Sequence, residues 1–68
     1  MKPLDTVALI KPINHSKIVV GQVGCIVSQL DHQTFEVEFV DLEGFTIDVL
    51  TLKEADLMAL HFEEVKSS

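Results

Sequence analysis

The sequence has no arginine, tryptophan or tyrosine, and it contains one cysteine, two prolines and three glycines among its 68 residues. A single cysteine excludes a disulfide-stapled scaffold. The apolar runs are only a few residues long, which excludes a membrane-spanning helix. Hydrophobic residues make up 47% of the chain and charged residues 24%. This composition can bury a core and excludes a disordered chain, and the length fits one small domain.

The N-terminus, Met1-Lys2-Pro3, leads directly into a structured-looking segment without the apolar region of a signal peptide. We therefore expect a cytoplasmic protein.

Charge is distributed unevenly along the chain. Residues 1–30 carry three lysines and one acid, a net charge of +2, whereas residues 31–68 carry two lysines and ten acids, a net charge of −8. Without arginine to grip phosphate, or tyrosine and tryptophan to stack on bases, direct nucleic-acid binding is not expected. The acidic half would instead steer a basic protein partner, or serve only to keep the domain soluble.

Hydrophobic side chains recur with a period of two, which indicates strands. The clearest strand, residues 34–40, alternates between an inner apolar face of Phe35, Val37 and Phe39 and an outer face of Glu36 and Glu38.

A turn at residues 41–44, in which Gly44 suits a positive φ, predicts a hairpin with a second strand over residues 45–52. Its apolar side chains are expected to point inward: Phe45, Ile47 and Val49. Thr46 and Asp48 are expected beside the glutamates of the first strand, on the outer face.

The remaining elements follow from turn residues and apolar runs. We predict a first strand at 5–10, a long loop at 11–22, a strand at 24–30, a turn at 31–33, a helical turn at 53–56, a last strand at 57–62 and a frayed tail at 63–68. A helix over 53–65 competes with the last strand, because Glu, Ala, Leu and Met favour helices. The predicted fold is all-β, a small SH3-like five-stranded barrel over residues 1–62, with one short helical turn before the last strand.

The segment Gly21-Gln22-Val23-Gly24-Cys25-Ile26-Val27 resembles the G-x-x-G-x-[IV]-V turn that opens the second strand of SH3-like barrels, including KOW-type and nitrile-hydratase-accessory-type domains. The physical roles of Gly21 and Gly24 are a backbone conformation or a close approach that a Cβ would block. Gly24, near the strand start, also suits a bulge.

From about residue 4 to residue 60 the chain resembles an uncharacterised bacterial family known as domain of unknown function forty-nine twenty-six. The matching segments are Leu4–Leu9, Gly21–Val27, Phe35–Asp41 with Gly44-Phe45-Thr46, and Thr51-Leu52 with Leu57 and Leu60. Cys25 stands where Thr or Ala is more usual. The resemblance implies a fold rather than an activity, and the toxin-like genes beside members of this family suggest immunity or antitoxin roles.

Candidate chemistry is sparse. Cys25 and the histidines His15, His32 and His61 lack metal-ligand spacing such as C-x-x-C or H-x-x-x-H, so neither a metal site nor another cofactor is predicted. Glutamates on one strand face are more typical of a solvated surface than of an acid–base pair. A barrel of this size also leaves little volume for a pocket of ~300 Å³ or more. We therefore expect no enzymatic activity.

The chain has more large apolar residues than a small barrel can bury. Those expected at the surface are Ile18, Val19, Val20, Val40, Leu42, Leu50 and Met58. Gathered into a patch, such side chains mark an interface. Residues 18–20, at the end of the long loop, are the strongest candidates; alternatively they fold back and cap the barrel.

Two functions remain in contention. The first is a protein-interaction module for a basic partner, for instance an immunity or antitoxin protein, and the second is a structural domain that self-associates as a homodimer or larger assembly. The predicted partner-binding residues are Ile18, Val19, Val20, Glu36, Glu38, Val40, Asp41, Leu42, Glu43 and Asp48. In this set, the acidic side chains would steer association while Val40 and Leu42 anchor it.

Overall fold

A computed structural model describes residues 1–61 and has the predicted all-β architecture. The elements are β1 (Thr6–Leu9), β2 (Val23–Gln29), β3 (Thr34–Val40), β4 (Thr46–Lys53), a 3-10 turn (Glu54–Asp56) and β5 (Leu57–Ala59). The five strands form one antiparallel sheet in the order β4-β3-β2-β1-β5.

The 3-10 turn and β5 decide against the competing helix, since residues 57–59 pair with β1. β5 is shorter than predicted. The expected strand end at residue 62, which is also the expected domain boundary, and the expected tail at 63–68 lie outside the described residues. Among residues 1–61, no helix is long and apolar enough to cross a membrane.

The core lies on the inner face of the sheet, where the alternation of β3 holds as predicted. Phe35, Val37 and Phe39 are almost fully buried, and Ile26 on β2 is buried with them. Burial of each such side chain contributes roughly 1.5–3 kcal/mol to folding. The sheet therefore obtains its main stabilisation from one face of its central strands.

The glycines occupy positions that a side chain would disturb in two different ways. Gly21 and Gly44 have φ values of 93° and 88°, the left-handed region in which side chains with a Cβ are strained. At Gly24 the constraint is steric, because a Cβ there would lie 2.8 Å from the Glu38 carbonyl oxygen. The bulge expected at Gly24 lies further along β2, between Ile26 and Ser28.

The predicted phase of β4 holds at Ile47, which packs against the core, but it is wrong for the residues that follow. A register shift lets Phe39 pair with Asp48 and Val40 with Thr46, so β4 carries one extra residue between the two pairs. The shift reverses the alternation that follows it, because side chains have a period of two.

The consequences for β4 are visible in the exposure of its side chains. Val49, expected in the core, is 44% exposed. Phe45, also expected in the core, is 67% exposed, but it precedes both β4 and the shift, so the shift does not account for it. Leu50, expected at the surface, packs against the core, and Leu52 is buried.

Candidate functional site

An open groove lies where the long loop meets the ends of β2 and β3. It has a volume of about 480 Å³, which exceeds what we expected of so small a domain. Its lining is mostly aliphatic: Val19, Val20, Gly21, Gln22, Val23, Val40, Asp41 and Leu42. Exposed aliphatic side chains that gather in one concave surface are typical of an interaction site.

The first wall of the groove is the end of the loop. Ile18 is 1% exposed and belongs to the core, so its expected surface position is wrong. Val19 and Val20, which follow it, are 61% and 51% exposed. The Gly21 N–H donates to the Leu9 carbonyl at 2.7 Å. The loop is thus fixed on both sides of its two exposed valines.

The opposite wall is the turn between β3 and β4. The Asp41 carboxylate accepts hydrogen bonds from the backbone N–H groups of Glu43 and Phe45, at 2.9 and 3.0 Å. Such side-chain to backbone bonds stabilise tight turns. Leu42, inside this turn, is fully exposed.

A side chain also links the two walls. The Gln22 amide donates to the Val40 carbonyl at 3.2 Å, which ties the end of the loop to the end of β3. Gln22 was not among the predicted site residues, and nothing in its local sequence marks it.

Among residues 1–61, no lysine lies within ion-pair distance of the carboxylates near the groove. Within residues 1–61, the one contact at ion-pair distance joins His15 to Asp48, and no lysine takes part in such a contact. Glu38 lies opposite Cys25 on the outer face and accepts a hydrogen bond from the Thr46 hydroxyl at 2.7 Å. The expected proximity of Glu38 and Thr46 is confirmed.

Asp48 is not part of this outer acidic face, contrary to expectation. Its register partner is Phe39, and its carboxylate contacts His15 of the long loop at 3.0 Å. The hydrogen bond from His15, together with one from the Val49 N–H, holds the pKa of Asp48 below its ordinary value.

The role of His15 was missed as well, because sequence reasoning considered this residue only as a possible metal ligand. Its Nδ1 accepts hydrogen bonds from the backbone N–H groups of Lys17 and Ile18, at 3.0 and 3.1 Å. Asn, Asp, Ser and Thr commonly bind the N–H groups just after them, and here a histidine takes that role. Its partner Asp48 is 33 positions away in sequence, and no local pattern reveals it.

The structure therefore divides the predicted site residues into three groups. The first lines the groove: Val19, Val20, Val40, Asp41 and Leu42. The second lies outside its lining: Glu36 and Glu38 on β3 and the exposed Glu43 in the neighbouring turn. Ile18 and Asp48 form the third group: Ile18 is buried in the core, and the half-exposed Asp48 contacts the loop through His15.

Two other features of the described residues are relevant to chemistry: a second groove and the arrangement of potential metal ligands. A second groove, of about 490 Å³, is lined by Gln33, Lys53, Glu54 and Ala55 and lacks large apolar side chains. No group of three or more His, Cys, Asp or Glu side chains within residues 1–61 is arranged to hold a metal ion.

Fold and site together define a small all-β domain with a mostly aliphatic groove. The family model described as Domain of unknown function (DUF4926) matches residues 4–59, and the chain belongs to this family. This confirms the family resemblance seen in the sequence. No curated protein and no solved structure matches the chain, so the relation to SH3-like barrels stays a prediction.

Proposed function

We propose that this domain is a non-enzymatic protein-interaction module that binds a basic partner through the groove. The observation that carries the proposal is the groove itself, in which four exposed or half-exposed aliphatic side chains meet from two segments far apart in sequence: Val19, Val20, Val40 and Leu42. Exposed aliphatic side chains in a concavity gain free energy when a partner covers them.

The negative charge of this chain favours a positively charged partner. The chain carries a net charge of −6, and Glu36, Glu38 and Glu43 have no lysine within ion-pair distance among the described residues. Uncompensated carboxylates around an apolar site attract a cationic partner and raise its association rate. The aliphatic side chains then supply the buried anchors that slow dissociation.

An immunity or antitoxin role is the most concrete form of this proposal. Its basis is the family resemblance, which implies that members lie beside toxin-like genes. A cytoplasmic location belongs to the same proposal.

The first experiment is a pull-down of the tagged full-length protein from the native cells at low and at high salt, read by mass spectrometry. We expect a stoichiometric basic protein whose recovery falls as salt rises, because salt screens exposed charges. Recovery of no basic protein at either salt concentration would overturn the proposal.

A matched pair of variants then localises the site. Glu43→Lys and Glu54→Lys change the net charge equally, but Glu54 follows the far end of β4, roughly 23 Å from the groove. We expect Glu43→Lys to slow association with the captured partner several-fold more than Glu54→Lys. Equal effects would mean that net charge, and not this site, governs binding. Asp48 is left unchanged because it holds His15.

The same exposed aliphatic side chains support a second candidate, self-association. Two copies carry like charge, so self-association should strengthen with salt, whereas binding of a basic partner should weaken. Sedimentation velocity of the wild type, Val20→Asp and Val40→Asp tests this candidate. A wild type that stays monomeric at high concentration and high salt removes it.

A further inference from the structure

We infer that His15 is a pH-sensitive latch that assembles one wall of the groove only while its imidazole is neutral. The inference rests on the proposed function only for its consequence, the regulation of partner binding. The latch itself follows from the hydrogen bonds of the long loop.

The tautomer of His15 is determined by its partners. Nδ1 faces two N–H donors, those of Lys17 and Ile18, so it must present a lone pair. The proton of the neutral ring is therefore on Nε2, which donates to the Asp48 carboxylate at 3.0 Å. His15 thus holds β4 on one side and the backbone of its own loop on the other.

Protonation acts in opposite directions on these two sides. An imidazolium has two N–H groups and no acceptor, so its Nδ1–H would confront the N–H groups of Lys17 and Ile18. The contact with Asp48 would persist and gain a charge. Among residues 1–61, the ring is hydrogen-bonded to the Asp48 carboxylate on β4 and to the backbone N–H groups of Lys17 and Ile18 in the loop, so Asp48 and Lys17 are the charged residues among its partners. Acidification therefore releases the loop while His15 remains on β4.

Release of the loop directly affects the groove, because the loop forms its first wall. Ile18 carries one of the released N–H groups, and Val19 and Val20 follow it as the first wall. Loss of two hydrogen bonds beside them favours conformations in which this wall is not assembled. The apparent affinity for a partner falls in proportion to the fraction of molecules in which this wall stays assembled. We expect a loss of about tenfold in affinity for a groove-binding partner in acid, on the scale of two hydrogen bonds.

The latch can be tested without any partner. Nitrogen-15 NMR of the imidazole ring in the full chain should show the Nε2–H tautomer for His15 at pH 8. On titration to pH 5, the amide signals of Lys17, Ile18, Val19 and Val20 should shift with the same midpoint as the His15 ring. An Nδ1–H tautomer at pH 8, or loop amides that ignore the His15 titration, would overturn the inference.

Variants separate the latch from general effects of acid. His15→Gln should abolish the coupled shift of the loop amides, whereas His32→Gln, at an exposed histidine, should leave it unchanged. Asp48→Asn keeps an acceptor for Nε2–H, so the Nε2–H tautomer and the two loop hydrogen bonds should persist at pH 8. A transition that survives in His15→Gln would also overturn the latch.

Binding of a partner is a separate readout. A protein recovered in the pull-down should bind about tenfold more weakly below the latch transition, and His15→Gln should remove this pH dependence. If the amides respond as expected but no partner is recovered, the latch stands and the proposed function fails. If a partner binds equally on both sides of the transition, the latch does not regulate binding.

Discussion

Neighbouring residues of β3 lie on opposite faces of the sheet and have different roles. On the inner face of β3, Phe39 is fully buried, while Val40, next in sequence, is half-exposed and lines the groove. The long loop repeats this contrast, with Ile18 buried and Val19 exposed. The apolar residues of this chain therefore divide into those that hold the fold and those available to a partner, and hydrophobicity alone does not separate them.

The largest effect should come from breaking the inner face. Phe39→Ala should lower the free energy of unfolding by about 3–5 kcal/mol, because it leaves a cavity in a packed core. Val40→Ala should cost less than about 1 kcal/mol. Urea denaturation followed by circular dichroism measures both, since the chain has no tryptophan for fluorescence. Similar losses of unfolding free energy at the two positions would contradict the distinction between the two faces.

The loop offers the same comparison within two consecutive residues. Ile18→Ala should cost about 2–4 kcal/mol, because the side chain is 1% exposed. Val19→Ala should change stability by less than about 0.5 kcal/mol, since it is 61% exposed, yet it should weaken partner binding. A stability loss at Val19 equal to that at Ile18 would show that the loop packs as one unit.

Gly24 and Gly21 are required for different reasons, a steric contact at Gly24 and the backbone conformation at Gly21. Gly24→Ala should cost about 1–3 kcal/mol, because its Cβ would meet the Glu38 carbonyl oxygen. Gly21→Ala should cost about 1 kcal/mol from its positive φ, with open space around the Cβ. Asparagine tolerates positive φ, so it should be milder than alanine at Gly21 and worse at Gly24. The same ranking at both sites would contradict the distinction.

Leu4 allows backbone strain to be tested at a residue whose side chain is exposed. It has a φ of 75°, in the left-handed region, and its side chain is 84% exposed. Leu4→Gly should raise the free energy of unfolding by up to about 1 kcal/mol, because it relieves strain and loses little packing. Leu42→Gly is the control: Leu42 is also fully exposed but has no positive φ, so glycine there should destabilise slightly. A loss of stability at both sites would mean that Leu4 is not strained.

The smallest effect concerns two carboxylates that form hydrogen bonds within or to loops, Asp31 and Asp48. The pKa of Asp31 is lowered chiefly by the Gln33 N–H, and that of Asp48 chiefly by His15. A lowered pKa in the folded state stabilises the protein above the ordinary value of 3.8, and this contribution is lost as the pH falls below it.

Asp31→Asn and Asp48→Asn should therefore flatten the decline of unfolding free energy in acid. Denaturant unfolding at a series of pH values checks this, with the double variant flattest. An unchanged decline in all three variants would exclude these carboxylates as its source.

Much of the fold was predictable because it depends on local patterns. The alternation of β3, the turn at Gly44 and the short helical turn before β5 all appear in the structure. The phase of β4 was not predictable, because one extra residue between Thr46 and Asp48 moves Val49 to the surface and Leu50 toward the core. No local signal marks such a bulge in an apolar strand.

The candidate site was predictable in part. Exposed valines in the loop and an exposed Leu42 followed from the surplus of apolar residues, and both walls of the groove contain them. The linking side chain of Gln22 and the contact between His15 and Asp48 join segments that lie 18 and 33 positions apart. Such contacts exist only once the sheet has brought the segments together.

By itself, the sequence determined the strands, the positive-φ turns and the imbalance of charge, since each depends on residue type and short-range spacing. The tertiary structure alone decided that Ile18 is buried while Val19 and Val20 are exposed, and which carboxylate His15 contacts. The physical reason is that three consecutive aliphatic residues have the same affinity for a core. Only the path of the loop across the sheet determines which of them reaches it.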